Sequence, residues 1–415
     1  MAHRDPRDGR APRPLDRPGR EEILVGVAAR ACAGTVRHVV ETVATALAEG
    51  FAGRRAAIVV VAGSRDAAAA AARRAQTGAV RLEVIEPAGG RGWGGWGGAA
   101  PDEDGALPVL LAAAERSGAA CAVVDGGVRA ITPEWVRLLL DPVVSGGLDL
   151  VAPLYARHRH DGLLTGHLVY PLTRALYGRR LRQPLGAHFG FSARLAGRLL
   201  ASGAPAGAAG RRPDVWLVTA ALAAGLPVGQ AWLGPGRRGP RDSGADLMAS
   251  FVPVVGTAFA LMEEFAAAWM EAEAPSAVPT FGTPAAEEDA PLWVNVDRMA
   301  ATFRQALAEL MPVWRRMLAP DTGALLAALA EAPPDPPRVP APLWARIVYD
   351  AAVAYHRRPL PPDQVVRALA PLYLGRAAAA VLAGGAASEA DVEELCGAFE
   401  SLKPYLLDRW RDRRP

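Results

Sequence analysis

The first 130 residues alternate between short, mostly apolar runs and longer stretches with helical periodicity. The apolar runs occupy residues 23–27, 56–61, 80–85 and 119–124. Their length and β-branched content are typical of buried strands. Between them, residues 34–48 and 107–116 repeat apolar side chains at three- and four-residue intervals, which predicts amphipathic helices. Strands and helices that alternate with short connections favour a parallel sheet covered on both faces.

The pattern changes after about residue 246, where strand-like runs give way to helical periodicity. Five segments carry this periodicity: 248–274, 294–318, 343–356, 362–372 and 391–410. Connectors rich in proline and alanine at 275–291 and 332–342 separate several of them. We therefore predict a disordered tail at 1–21, an α/β domain at 22–245 and a helical domain at 246–415.

Composition narrows the class of protein. Apolar residues make up 51% of the chain, and the net charge is only +3 over 415 residues, which does not favour nucleic-acid binding. No run reaches the roughly 18 apolar residues of a membrane span, and the charged, proline-rich start does not resemble a signal peptide. Cys32, Cys121 and Cys396 form no CxxC pair, which favours buried thiols in a reducing compartment. We expect a cytoplasmic protein without a nucleic-acid partner or a membrane span.

Candidate chemistry lies at a strand end and in one basic stretch. The fourth apolar run stops at Asp125, and residues 236–242 read GRRGPRD. Arginine is permanently charged and can hold a diphosphate through paired N–H groups, although a solvated basic loop has the same composition. The chain contains no Walker A or HExxH motif.

Several blocks of sequence resemble a known family. Residues 131–155 read ITPEWVRLLLDPVVSGGLDLVAPLY and residues 168–192 read LVYPLTRALYGRRLRQPLGAHFGFS. Residues 371–376 and 399–410 read PLYLGR and FESLKPYLLDRW. Together these blocks resemble bacterial GT-A glycosyltransferases related to mannosylglycerate and glucosyl-phosphoglycerate synthases, over about residues 22–410.

The resemblance implies both a fold and a reaction. The implied fold is α/β, a GT-A domain with a Rossmann-like, mainly parallel sheet, followed by an α-helical C-terminal domain. The implied reaction is retaining transfer of a hexosyl group from a nucleotide sugar to a small polar acceptor of the glycerate type. The nucleotide diphosphate leaves with developing negative charge, which a divalent cation or fixed positive groups must offset.

The family holds this cation with a DxD motif and a later histidine. Asp125 stands at the first carboxylate of that motif, and Gly127 stands where the second belongs. Gly236 and Arg238 occupy the positions of a family lysine and histidine. Asp125 is therefore the one candidate ligand for Mg²⁺ or Mn²⁺, and a single carboxylate holds a cation weakly. Arg237, Arg238 and Arg241 are candidates for holding the diphosphate without a metal.

The resemblance also selects residues beside the sugar and acceptor. Gly186 and His188 lie in a loop that borders the donor sugar in the family, with His188 near a family acidic residue. Asp214 matches an acidic residue that opens a helix lining the site. Each has a simpler interpretation, since a lone histidine is often structural and an aspartate before a helix is often an N-cap.

Other family positions have changed. Residues 28–31, the loop after the first strand, lack the turn that contacts the nucleotide base in the family. Ala62 replaces a family acidic residue. Two functions follow as hypotheses: a glycosyltransferase working with little or no metal, or a catalytically inactive homologue that acts as a binding or regulatory partner. The oligomeric state stays open, with a homo-oligomer among the alternatives.

Overall fold

The computed structural model describes residues 21–63, 66–86, 106–156, 162–202, 212–235, 243–284, 294–331, 338–382 and 389–412. The strands are β1 (Ile23–Ala29), β2 (Ala56–Ala62), β3 (Arg81–Ile85), β4 (Ala120–Asp125), β5 (Leu150–Ala156), β6 (Phe189–Phe191), β7 (Val228–Pro235) and β8 (Thr280–Phe281). The helices up to the end of β7 are α1 (Val36–Gly50), α2 (Ala67–Ala72), α3 (Ala106–Ser117), α4 (Pro133–Val144), a π-helical turn (Thr165–Val169), α5 (Tyr170–Tyr177), α6 (Ala193–Ala201) and α7 (Pro213–Ala223).

The remaining helices follow β7 in the chain. They are α8 (Ser243–Glu264), α9 (Ala266–Glu271), α10 (Val296–Glu309), α11 (Met311–Met317), α12 (Pro320–Glu331), α13 (Ala341–Arg357), α14 (Pro362–Leu382), α15 (Glu389–Ser401) and α16 (Lys403–Arg411). The predicted fold class is confirmed: an α/β part precedes a part built almost wholly of helices.

The strands form one sheet in the order β3-β2-β1-β4-β6-β5-β7-β8. All neighbouring pairs are parallel except those that β6 makes with β4 and β5. The four apolar runs predicted as strands are β1 to β4, and their ends differ from the prediction by one or two residues. Side chains of β1, β2 and β4 are buried at nearly every position, as strands in the middle of a covered parallel sheet require, whereas β3 at the edge of the sheet is mostly half-buried.

Close backbone contact fixes the position of β6. A Cβ atom at Gly190 would lie 1.9 Å from the carbonyl oxygen of Leu139 in α4. Only glycine therefore allows α4 to lie directly on this strand. The segment around β6 is held at the middle of the sheet, between β4 and β5.

The helical part has more breaks than its periodicity predicts. The chain leaves helical geometry at Phe265, Leu310 and Leu402, so three predicted helices are each divided in two. Proline occupies the first turn of α11 and of α16, where its missing N–H is tolerated. Helix α14 instead contains Pro371 in its interior and continues ten residues past the predicted end at residue 372.

Ion pairs and hydrogen bonds attach the helical part to the α/β part. The buried guanidinium of Arg174 on α5 lies 2.6 Å from carboxylate oxygens of Glu393 and Glu400 on α15. The Lys403 ammonium donates to the carbonyl oxygens of Leu176 and Ala272. Buried apolar side chains from both parts form one continuous core, so the two parts support each other.

One described helix, α14, is long and apolar enough to cross a membrane, with a mean hydropathy of 1.5 in its most apolar window. Inside the protein, 61% of that window is buried. A Cβ atom at Gly375 would lie 2.4 Å from the ring of Phe303, so α14 packs directly against α10. This packing accounts for the apolar character of the helix within the core.

The three cysteines are buried and none forms a disulfide with another, as their spacing predicts. Burial raises the pKa of Cys121, and it raises the pKa of Cys396 to about 12. Thiols with raised pKa values carry little of the reactive thiolate form.

Candidate functional site at the carboxyl edge of the sheet

The carboxyl ends of β1 and β4 lie side by side at the point where the strand order reverses. Ala28 pairs with Asp125 at the end of the two strands, and the Gly126 amide donates to the carbonyl oxygen of Ala28 at 2.9 Å. The strand order runs β3-β2-β1 on one side of this point and begins with β4 on the other. In open α/β sheets, ligands bind in the crevice outside such a reversal.

Asp125 closes a tight turn at this position. Its Oδ1 accepts the Gly127 amide proton at 2.8 Å, and the side chain is 2% exposed. The Thr35 hydroxyl donates to the Gly126 carbonyl oxygen at 2.8 Å, which ties the turn to the start of α1. One carboxylate oxygen of Asp125 therefore serves the turn, and Gly127 adds no side chain beside it.

A second carboxylate, which sequence reasoning missed, orders the loop after β1. Asp66 accepts the Ala31 amide proton at 2.8 Å through Oδ2 and the Ala68 amide proton at 2.9 Å through Oδ1. Ala31 has a φ of 48°, in the left-handed region that alanine rarely adopts. The aspartate before an alanine run signals an N-cap in the sequence, but the contact with Ala31 spans 35 residues.

The predicted residues Gly186 and His188 lie in the segment that leads into β6. The antiparallel pairing of β6 with β4 ends at Val123 and Phe189, so His188 directly precedes the last pair, on the side of the sheet where β4 ends at Asp125. A Cβ atom at Gly186 would lie 2.4 Å from Cγ of Pro153 and 3.2 Å from the hydroxyl of Tyr155. The fold thus brings Gly186 and His188 to the edge where Asp125 lies.

Tyr155 is the principal partner of His188. The Tyr155 hydroxyl lies 2.6 Å from Nδ1 of His188, and the Ala187 amide donates to the same hydroxyl at 3.3 Å. The Gln183 side-chain amide accepts from the Tyr155 amide at 3.2 Å and donates to its carbonyl oxygen at 3.1 Å. The segment before β6 and the end of β5 are therefore joined by side chains as well as by strand pairing.

The surroundings of His188 are aromatic, and the residue is buried. Its ring meets the Trp135 ring edge to face, with centroids 5.4 Å apart. Burial lowers the pKa of His188 to about 3, so the imidazole is neutral at physiological pH. Its Nε2 atom is buried and has no hydrogen-bond partner among the described residues.

Asp214 forms a buried ion pair with Arg212. Both carboxylate oxygens accept from Arg212, at 2.9 Å from Nε and 2.6 Å from a terminal nitrogen. The Arg212 amide donates to the Thr257 hydroxyl at 2.9 Å, which connects the pair to α8. Burial opposes the charge of Arg212, but the nearby Asp214 carboxylate leaves its pKa raised. The ion pair packs the start of α7 against α8.

Comparison with solved structures finds similarity to a glucosyl-3-phosphoglycerate synthase. No family model matches the chain. No curated protein matches it either. A crystal structure of Mycobacterium tuberculosis glucosyl-3-phosphoglycerate synthase with Mn²⁺, UDP and glucosyl-3-phosphoglycerate is 21% identical, with a TM-score of 0.41. The match covers 59% of this chain and 80% of that chain.

Two further structures of that synthase are similar to the same extent. The complex with Mn²⁺, UDP-glucose and phosphoglyceric acid is 22% identical, with a TM-score of 0.41, and the match covers 59% of this chain and 80% of that chain. Another structure of the synthase gives 22% identity, the same TM-score and coverage of 59% and 81%. Substrate and activity have to be argued from the residues of this chain.

The predicted diphosphate-binding residues Arg237, Arg238 and Arg241 lie outside the described residues. Within the described residues, no three histidine, cysteine, aspartate or glutamate side chains come together as a metal site would require. Asp125 contributes a single carboxylate, one oxygen of which is engaged by the Gly127 amide. The described side chains therefore do not fit a Mg²⁺ or Mn²⁺ cage.

A cleft of about 710 Å³ lies at the opposite, amino edge of the sheet. Its lining includes Glu21 and Glu22 before β1, Arg54 and Arg55 before β2, and Arg194 at the start of α6. Glu22 is within 3.7 Å of nitrogens of Arg54 and Arg55, so charges on its walls are paired. The cleft contains none of the residues predicted for the site, and the parallel-sheet rule favours the carboxyl edge.

Proposed function

We propose that the chain is a glycosyltransferase-like protein that binds a nucleotide sugar at the carboxyl edge of its sheet. The proposed acceptor is a small polar molecule of the glycerate type. The observation that carries the proposal is the position of Asp125 at the strand reversal, with Gly186 and His188 on the adjoining β6 segment. The sequence resemblance supplies the chemistry expected at that place.

The reaction exchanges one bond to the sugar for another. The bond from the sugar's anomeric carbon to the diphosphate breaks, and the nucleoside diphosphate leaves with the electron pair. The acceptor hydroxyl forms the new bond and loses its proton, which the departing diphosphate can take up. Lowering the barrier requires fixed positive charge beside the leaving oxygen.

We assign that positive charge to Arg237, Arg238 and Arg241. Guanidinium groups are charged at all relevant pH values and match the paired oxygens of a diphosphate. The single carboxylate of Asp125 argues against a tightly held cation, so no step is assigned to a metal. Through the turn that it orders, Asp125 would instead help to place the diphosphate, and His188 would contact the sugar or the acceptor.

A second candidate is a catalytically inactive homologue that acts as a binding or regulatory partner. The observation that favours it is the turn at Asp125, where a backbone amide occupies one carboxylate oxygen and Gly127 supplies none. Segments that form the fold resemble the family, whereas ligand-facing positions differ from it. Because a fold does not fix a function, such a chain can keep the architecture without the reaction.

A thermal-shift titration tests the proposal. UDP, GDP and their hexose conjugates would be added with Mg²⁺, with Mn²⁺ or with a chelator. A ligand at about 100 times its dissociation constant adds roughly 2.7 kcal/mol to the stability of the folded state. We expect a shift with one nucleotide that persists in the chelator. No shift with any nucleotide at millimolar concentration would favour the inactive homologue.

Turnover of a variant with the family's metal ligands restored distinguishes leaving-group stabilisation by arginine from stabilisation by a metal ion. The double variant Gly127→Asp/Arg238→His supplies the second carboxylate and the histidine of the family pattern. We expect it to lower turnover, because it removes one arginine that offsets the leaving charge. Higher turnover with Mn²⁺ would contradict the arginine mechanism and indicate a decayed metal site.

A further inference from the structure

We infer that Tyr155 holds His188 in the tautomer with its proton on Nε2, which makes Nε2–H a hydrogen-bond donor to an uncharged hydroxyl of the bound sugar. The identity of the ligand rests on the proposed function. The tautomer rests on contacts within the chain. Tyr155 is thus a positioning residue, and His188 is the group that touches the ligand.

The first step concerns the direction of the hydrogen bond between the two rings. The Tyr155 hydroxyl lies 2.6 Å from His188 Nδ1, which suits an O–H donor better than an N–H donor. A phenol is also a better proton donor than acceptor beside a neutral imidazole. The hydroxyl meanwhile accepts the Ala187 amide proton at 3.3 Å. The phenol therefore accepts from the backbone and donates to the imidazole.

The second step follows from the chemistry of imidazole. In a neutral ring, one nitrogen accepts and the other carries the proton. Because Nδ1 accepts from Tyr155, the proton lies on Nε2. Burial against Trp135 and Tyr155 keeps the ring uncharged, since no opposite charge on a described residue compensates for the loss of water.

The third step concerns the ring atom through which His188 can contact a ligand. Nε2 is buried and has no partner among the residues that the structure describes. A buried donor without an acceptor is unfavourable, so an oxygen that reaches it gains more than the same contact in water. His188 directly precedes the last residue of β6 that pairs with β4, so it lies toward the edge of the sheet where the proposed ligand binds.

The chemistry of the donor favours a hydroxyl over an anion. A neutral N–H in a buried, aromatic setting pairs well with an uncharged oxygen, whereas a phosphate or carboxylate is costly to desolvate there. The nucleotide diphosphate carries its charge elsewhere. The part of a nucleotide sugar that offers uncharged oxygens is the hexose.

Nitrogen NMR on histidine-labelled protein tests the tautomer without any ligand. Long-range proton–nitrogen spectra distinguish Nδ1–H, Nε2–H and cationic rings, and loss of one signal set in His188→Gln assigns the residue. We expect the Nε2–H form at pH 8 and at pH 6. In Tyr155→Phe we expect the preference to weaken or reverse. An Nδ1–H or cationic ring in the unmodified protein would overturn the inference.

Calorimetric titration with UDP and with UDP-glucose tests the contact. The variants are His188→Leu, which removes the donor, His188→Gln, whose amide keeps one, and Tyr155→Phe. We expect UDP to bind all four proteins alike. We expect the advantage of UDP-glucose over UDP to fall about ten-fold in His188→Leu and Tyr155→Phe, and less in His188→Gln.

The two arms separate failure of the inference from failure of the proposed function. If UDP binds and His188→Leu leaves the UDP-glucose advantage unchanged, the sugar contact is wrong while nucleotide binding stands. If neither ligand binds the unmodified protein, the proposed function and the sugar contact fall together, and NMR still decides the tautomer. Circular dichroism shows whether His188→Leu still folds. If it does not, the UDP-glucose affinities of His188→Gln and Tyr155→Phe test the sugar contact.

Discussion

The carboxylate of Asp214 is chelated by the guanidinium of Arg212, with the side chains 0% and 8% exposed. Taking two charges out of water costs free energy that their mutual attraction only partly returns. The pair therefore fixes the start of α7, because removing either partner alone would leave a buried charge without its counter-charge.

Replacing Arg212 alone should destabilise the protein. We expect Arg212→Met to lower the free energy of unfolding by about 3–5 kcal/mol, because Asp214 then stays buried without its counter-charge. Urea unfolding measures the change, with Arg198→Ala on the exposed face of α6 as the control. The control should stay within about 0.5 kcal/mol. A loss below about 1 kcal/mol in Arg212→Met would contradict this account.

The double variant Arg212→Met/Asp214→Leu tests the role of Asp214. We expect it to regain most of the stability, since an apolar pair of similar volume avoids the desolvation cost. We also expect it to retain UDP binding, because both Asp214 oxygens are engaged by Arg212. A stable double variant that no longer binds UDP would instead support Asp214 as a ligand-facing residue.

The variant Asp125→Asn distinguishes the hydrogen bond that orders the turn from the negative charge of the carboxylate. Asparagine keeps an Oδ1 acceptor for the Gly127 amide, so stability should change by less than about 1 kcal/mol. UDP affinity in a chelator should not fall, and any gain in affinity with Mn²⁺ should disappear. Titrations of this variant and of Asp141→Asn, an exposed charge removal on α4, measure both effects. A loss of UDP affinity in the chelator would show that the carboxylate contacts the nucleotide directly.

Gly186 and Gly197 form a matched pair of glycine positions. In Gly186→Ala the new Cβ would lie 2.4 Å from Pro153, and we expect a loss of about 1–3 kcal/mol from overpacking. Gly197 lies within α6, and in Gly197→Ala the nearest atom to the new Cβ is Cγ of Glu115 on α3, 3.5 Å away, so we expect a gain of up to about 1 kcal/mol. Chemical denaturation of the two variants checks the difference. Equal effects would mean that the β6 segment moves easily.

Stability should fall as the pH falls below 6.5. Burial lowers the pKa of His167 and His188 to about 3, whereas the unfolded chain binds these protons near pH 6.5. Between pH 6.5 and 3 the unfolded state therefore holds more protons, and each histidine contributes a slope of up to about 1.4 kcal/mol per pH unit. Urea unfolding at pH 7, 6 and 5 measures the slope.

Single histidine variants assign this pH dependence. His167→Gln and His188→Gln should each reduce the slope, and a change at the exposed His38 should leave it as it was. An unchanged slope in both buried variants would mean that these imidazoles take up protons without unfolding.

The sequence by itself determined the α/β class, the first four strands and the helical character of the second half. Those features follow from local pattern: buried β-branched runs such as 56–61 suit only a covered strand, and the spacing in 34–48 suits only a helix with one apolar face. The pattern did not determine where long helices break. Periodicity continues across Phe265, Leu310 and Leu402, and tertiary packing sets the change of direction there.

The contacts of the site depended on tertiary structure. Asp125, Gly186 and His188 were selected from the sequence, but the partnership of Tyr155 with His188 joins residues 33 apart in sequence. It exists because β6 inserts antiparallel between β4 and β5 and brings its leading segment beside both strand ends. Asp66 reaches Ala31 in the same way, through the pairing of β2 with β1. Hydrogen bonds of this kind depend on which chain segments the fold makes neighbours, and local spacing carries no record of that choice.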